Sequence, residues 1–225
     1  MPDSPATATD DLLLTRSRYL AALLDADAGR AQRAIDDGIA RGLPVATTYL
    51  DVLTPVMRQL GTLWEQAKIS IGDEHLATAI TAGVLASLSG RLPRVPAVAA
   101  RPVAVLGSGP DDFHGLGARM VGDFLQAAGW RVLDLGPAAP AEAFASVAAA
   151  HGALVVAVST SRPEQLDAVA TVRQALDELE RPPLMVVGGQ GYADGREAVA
   201  HVGADLYAAD PAQLLQQLGA VTRSR

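Results

Sequence analysis

Between Asp11 and about Ser89 the apolar residues recur at helical spacing, with no alternating strand-like run. Leu12, Leu13 and Leu14 lead into Tyr19, Leu20, Leu23 and Leu24, a stripe that predicts a first helix ending at Asp25. Asp27 is placed to cap a second helix that runs to Ile39 and stops before Gly42 and Pro44. A third is expected from about Val45 to Trp64, interrupted or bent near Pro55. Asp73 reads as the N-cap of a fourth, Glu74 to Leu88. Short connections between these amphipathic segments predict a four-helix bundle over residues 11–90, preceded by a polar, disordered N-terminus over residues 1–10.

The pattern then changes. Residues 91–102 hold three prolines with little periodicity and are expected to be a linker. From Val103 onward short apolar runs alternate with helical stretches. The runs are Val103–Leu106, Arg131–Leu135, Leu154–Val158, Leu184–Val187 and, weakly, Leu206–Tyr207. Continuous apolar strands separated by helices imply a parallel sheet covered on both faces. The expected fold is therefore α/β with an all-α cap: the bundle, then a flavodoxin- or Rossmann-like five-stranded sheet over residues 103–225, with ligands at the carboxyl ends of its strands.

Composition narrows the chemistry. The 225 residues are 49% hydrophobic and contain no cysteine, which removes disulfides, thiolate metal sites and cysteine nucleophiles. Lys68 is the sole lysine, so any Schiff-base chemistry would rest on it. The net charge is −7 and the arginines are scattered, which argues against nucleic acid as a direct ligand. No window approaches the ~18 apolar residues of a membrane span. Without a recognisable targeting segment, a cytoplasmic location is expected.

One string carries chemistry. Asp112-Phe113-His114-Gly115-Leu116-Gly117 follows the first strand directly. An imidazole at a strand mouth can ligate a metal through one ring nitrogen while a nearby carboxylate holds the proton on the other. Further along, Ser159 follows the third strand, and Gly188 and Gly189 follow the fourth, all on the same sheet edge. This D-x-H-x-x-G string, serine and glycine pair, in that order, resemble the cobalamin-binding domain of methionine synthase and its relatives. The resemblance implies that His114 is the lower axial ligand of cobalt. It also implies that Ser159, Gly188 and Gly189 line the slot for the cofactor's nucleotide tail, where a Cβ would collide with it.

A second pattern lies in the bundle, where Trp64 is followed after nine residues by Glu74-His75. It resembles light-sensing, adenosylcobalamin-dependent transcription regulators. In that family the tryptophan and glutamate pack around the adenosyl group, and the histidine can bind cobalt after photolysis. Those regulators carry an N-terminal DNA-binding domain, whereas only about ten polar residues precede the bundle here. The chain is thus identified as similar to photocobilins, which bind cobalamin and a bilin such as biliverdin; without cysteine the bilin would be held non-covalently. The expectation is a sensor, not an enzyme, that binds adenosylcobalamin and switches conformation or homo-oligomeric assembly toward an unidentified signalling partner. The alternative is a corrinoid protein that carries methyl groups between methyltransferases. Other conspicuous side chains are expected to be structural: His151 and His201 at helix C-termini, Trp130 as packing, and Asp134, Asp194, Asp205 and Asp210 as loop or cap residues.

Overall fold

A computed structural model describes residues 5–96, 101–192 and 195–223. Asp194 and part of the expected linker lie outside these. The chain packs as two compact units, Met1–Leu92 and Pro93–Arg225.

The first unit is helical. Helix α1 spans Pro5–Leu24 and α2 spans Ala28–Ala40. The first helix thus begins inside the stretch expected to be disordered, because Thr, Ala and Asp residues there extend the helical register of the leucines that follow. Asp27 caps α2 as expected, its carboxylate accepting from the Arg30 amide at 2.8 Å. The next segment continues through Pro55 without a break. It starts as α3 (Val45–Thr47), passes into a π-helical stretch (Thr48–Leu53) and ends as α4 (Thr54–Glu65). The Thr54 amide donates to the Tyr49 carbonyl five residues back, a widened turn just before the proline that lacks an amide.

Helix α5 spans Ile71–Leu88 and starts three residues earlier than the Asp73 cap implied. Ser70 is the cap and Asp73 is its reciprocal partner. The Ser70 hydroxyl accepts from the Asp73 amide at 3.1 Å, and the Asp73 carboxylate accepts from the Ser70 amide at 2.8 Å. The Ser70 hydroxyl also donates to the Asp73 carboxylate at 2.8 Å, and this bond, with the one from the Ser70 amide, holds the Asp73 carboxyl below its usual range. The bundle interior is closed by Tyr19, Leu23, Ile35, Tyr49, Leu53, Leu60, Leu85 and Leu88, all fully buried. A polar link within it runs from α1 to α5, where the Tyr19 hydroxyl donates to Thr81 at 2.9 Å. Burial raises the Tyr19 pKa despite that bond, so the phenol stays protonated.

The second unit is a five-stranded parallel sheet in the order β2-β1-β3-β4-β5. Its strands are β1 (Val103–Ser108), β2 (Arg131–Asp134), β3 (Val155–Ser159), β4 (Leu184–Gly188) and β5 (Leu206–Tyr207). Side chains alternate between faces as strand geometry requires. Val105, Val156, Val158, Met185 and Val187 pack with Phe144 of α7 (Ala141–His151) and Val169, Val172 and Leu176 of α8 (Leu166–Asp177). Ala104, Leu106, Val155, Ala157 and Val186 pack with Leu125 of α6 (Leu116–Ala127), Trp130, and Leu214 and Leu218 of α10 (Pro211–Arg223). A short α9 (Arg196–His201) precedes β5. In this strand order the chain reverses its winding between β1 and β3, and the loops after those strands flank the crevice where such sheets bind ligands.

Candidate cofactor site

The loop from β1 to α6 is built around Asp112, which is wholly buried. One carboxylate oxygen accepts from the His114 amide at 3.1 Å, a two-residue turn that aspartate side chains form readily. The same oxygen accepts from His114 Nδ1 at 2.9 Å, and the other from the Ser161 amide at 2.7 Å. Because Ser161 lies past the end of β3, this one carboxylate spans the point where the winding reverses. Burial alone would raise the Asp112 pKa, but the bonds from His114 and Ser161 outweigh it and hold the carboxyl below its usual range. Asp112 is therefore an anion, and Nδ1 of His114 carries the proton.

The loop is pinned elsewhere too. Ser108 donates to the His114 carbonyl at 2.8 Å, the Ala138 amide to the Asp112 carbonyl at 2.8 Å, and Gln165 to the Asp111 carbonyl at 2.9 Å. The imidazole itself is half-exposed, 54% by side chain, although its carboxylate partner is sealed. With Nδ1 committed to Asp112, a ligand would meet Nε2. Gly115 immediately precedes α6 and Leu116 is its first residue, while Gly117 lies against Ser159: a Cβ added at Gly117 would stand 3.3 Å from the Ser159 hydroxyl. The D-x-H-x-x-G string and the serine, distant in sequence, thus meet at one edge.

The glycine pair behaves differently from the expectation. A Cβ at Gly188 would stand 2.5 Å from the Ala208 carbonyl, and one at Gly189 would stand 2.3 Å from the Thr160 carbonyl. Gly189 also has φ +104°, a left-handed conformation open to glycine. The chain's own backbone already takes the space a Cβ would need, so these glycines are demanded by packing of the sheet edge, whatever ligand lies beyond. Behind them Tyr192, its pKa pushed up to about 12 by burial, meets the Thr160 hydroxyl at 3.3 Å. The sequence reading missed Ser161, Thr160 and Tyr192. Ser161 works through its amide, which leaves no trace in residue type.

In the first unit, half-buried Trp64 is the penultimate residue of α4, and Glu74 and His75 lie near the start of α5. Glu74 meets His75 Nδ1 at 2.8 Å and accepts from the Thr78 hydroxyl at 2.8 Å. His75 is 73% exposed. The structural readings of the other histidines and of Trp130 hold: His151 precedes a left-handed Gly152 cap, His201 meets Asp167 at 2.6 Å, and Trp130 packs in the core. Asp134, Asp205 and Asp210 accept from the amides of Gly136, Met185 and Gln213.

The donor set limits what such a site can hold. Among the described residues, no three His, Asp or Glu side chains gather as they would for a bare metal ion. A single oriented imidazole fits a metal that brings its equatorial ligands with it, as the cobalt of a corrinoid does.

A parallel sheet with one buried carboxylate and one half-exposed imidazole at its switch point fits the resemblance to corrinoid-binding α/β proteins. Comparison with known proteins agrees: the family described as B12 binding domain matches residues 102–216, and a second, helical family of that description matches residues 15–89. The chain belongs to the B12-binding family. A dimethylamine corrinoid protein of Methanosarcina acetivorans is 30% identical over 68% of this chain and 71% of its own length. The repressor CarH of Myxococcus xanthus, named as an HTH-type transcriptional repressor, is 28% identical over 72% of this chain and 54% of its own length. The fold is shared with a monomethylamine corrinoid protein of Methanosarcina barkeri, at a TM-score of 0.77 and 19% identity, over 92% of this chain and 98% of that one.

These findings overturn the expected light sensor. The relatives are mainly methylamine corrinoid proteins, with CarH a single, more distant likeness. The Trp64–Glu74–His75 spacing that suggested photochemistry is a three-residue signal; the CarH alignment is as long as the others, but its identity is lower, 28% against 30% and 31%, and most of the relatives are methylamine corrinoid proteins. The bilin loses its support with it. No helix among the described residues is long and apolar enough to cross a membrane.

Proposed function

We propose that this chain is a corrinoid protein that carries methyl groups between methyltransferases, with methyl and not adenosyl as the group it carries. The carrying observation is the Asp112–His114 pair, a half-exposed imidazole whose Nδ1 proton is fixed by a buried anion. The methylamine corrinoid relatives favour methyl transfer over sensing. When bound, the corrinoid supplies a metal centre that accepts and gives up a methyl group. His114 would offer Nε2 to that metal, and Asp112 would hold the ring in orientation and raise its basicity by accepting from Nδ1. Ser161 keeps Asp112 from turning away, so the loops after β1 and β3 act as one clamp. Ser159 and Gly117 are proposed to border the nucleotide tail together with Gly188 and Gly189. Trp64, Glu74 and His75 are proposed as further cofactor residues on the strength of the sequence resemblance alone.

The test is a labelled methyl group followed from a methylamine onto the protein loaded with chemically reduced cobalamin, with a purified methylamine methyltransferase as donor enzyme, and then onward to an acceptor supplied with a second methyltransferase. Retention and onward transfer of label are expected, with the same hydrodynamic size in darkness and light. A loaded protein that never acquires label and changes size on illumination overturns the proposal.

A further inference from the structure

On α1 the buried residues Thr15, Tyr19, Ala22 and Leu23 share one side of the helix. With 3.6 residues per turn, Asp10, Leu13, Ser17, Ala21 and Leu24 fall on the opposite side, and all five are exposed. Leu13 is 53% exposed and Leu24 44%, while Leu14, on the flank of this stripe, is 40% exposed. Three large apolar side chains on one outward face make a patch, where single exposed leucines would need no explanation. Beside the stripe a groove of 320 Å³ runs between α1 and α2, with Ser17, Ala21 and Ala34 along it and Arg18, Arg30, Arg33 and Asp37 at its rim. Arg30 meets Asp25 at 2.6 Å and Arg18 meets Asp37 at 4.0 Å. Among the described residues Arg33 and Asp10 make no ion pair. The Arg33 guanidinium folds back toward the start of α2, its Nη1 3.2 Å from where a Cβ on Gly29 would stand.

We infer that this face pairs with the same face of a second copy, the two α1 helices lying antiparallel across a two-fold axis. The order of residues along the stripe carries the inference. Leucines stand at both ends and the small Ser17 and Ala21 at the centre. An antiparallel copy therefore sets Leu13 against Leu24 twice, and the small residues let the helix axes approach closely between them. The charges obey the same symmetry. Asp10 lies at the N-terminal end of the stripe, and Arg33 reaches toward the turn that follows its C-terminal end. A two-fold axis through the middle of the stripe brings the Asp10 of each copy to the Arg33 of the other, which a parallel pairing does not. An unrelated partner would have no cause to match a face that complements itself. The contact uses neither the corrinoid nor the Asp112–His114 loop, so it stands apart from the proposed function.

Sedimentation equilibrium of the full chain, without cofactor, is the measurement. A monomer–dimer equilibrium is expected, with the same constant after cobalamin is added. Leu24→Glu weakens it at least about tenfold, because the two-fold axis removes the leucine contact twice. The side chain is exposed in the monomer, so at high dilution this variant melts as the unmodified chain does. Asp10→Arg and Arg33→Asp each weaken the dimer, and the variant carrying both regains it, a rescue that damage to either helix would not produce. An unmodified chain that stays monomeric at millimolar concentration overturns the proposal and leaves the face to a different protein. A dimer that Leu24→Glu leaves intact, or a double variant no tighter than the two single ones, overturns it as well.

Discussion

Asp112 does more than any other single residue to shape this site. Its two oxygens accept three hydrogen bonds from two loops while being wholly buried. Asp112→Asn keeps the shape but replaces an acceptor with an NH2 group, which must face either Ser161 N–H or His114 Nδ1–H, donor against donor. The expected cost is about 1–3 kcal/mol of stability, together with a 10–100-fold loss of cobalamin affinity from a less basic, less oriented imidazole. Denaturant melts and a spectral titration measure the two separately, and equal affinity in the Asp112→Asn variant would remove the carboxylate from the role of orienting His114. Gly189 tests the other conclusion at this scale. Gly189→Ala places a Cβ where the Thr160 carbonyl already lies, at a positive φ, and is expected to destabilise the chain by at least about 2 kcal/mol even without cofactor. Unchanged melting of the cofactor-free variant would return this glycine to a purely ligand-shaped role.

At the scale of elements, the helices show what periodicity can and cannot convey. The strand runs and the order of elements were readable because the central strands β1, β3 and β4 are buried on both faces and so are apolar throughout, whereas β5, an edge strand with both residues only half-buried, gave a weak signal. The start of α5 was misread because Asp73 and Ser70 are both good caps by type; only the reciprocal pair of bonds decides between them. Nor is α5 amphipathic as expected. Its exposed side includes Leu76, Ala79, Gly83 and Ala86, apolar or small like its buried side. Two helix-interior glycines, Gly61 in α4 and Gly83 in α5, have nothing within 4 Å of an added Cβ. Gly61→Ala and Gly83→Ala should then each stabilise the cofactor-free chain by about 1 kcal/mol, through helix propensity and a less flexible unfolded state. Circular-dichroism melts decide it, and a destabilised alanine variant would show that the space is not free in solution.

For the whole molecule, the decisive quantity is how cofactor binding couples to the stability of two separately packed units. A ligand that binds only folded protein stabilises it by about 2.7 kcal/mol at a hundredfold excess over Kd. His114 and Asp112 belong to the second unit, so a cofactor held by them alone raises the melting of Pro93–Arg225 and leaves Met1–Leu92 where it was. The assignment of Trp64, Glu74 and His75 to the cofactor makes a different demand, because contacts from the bundle must stabilise the bundle. Under the proposed function, both units are expected to gain hydrogen-exchange protection when cobalamin is added to the intact chain. If the bundle residues do meet the cofactor, Trp64→Ala confines the gain to the sheet. Protection that rises only in the sheet of the unmodified chain would leave the corrinoid with His114 and remove the bundle residues from the site.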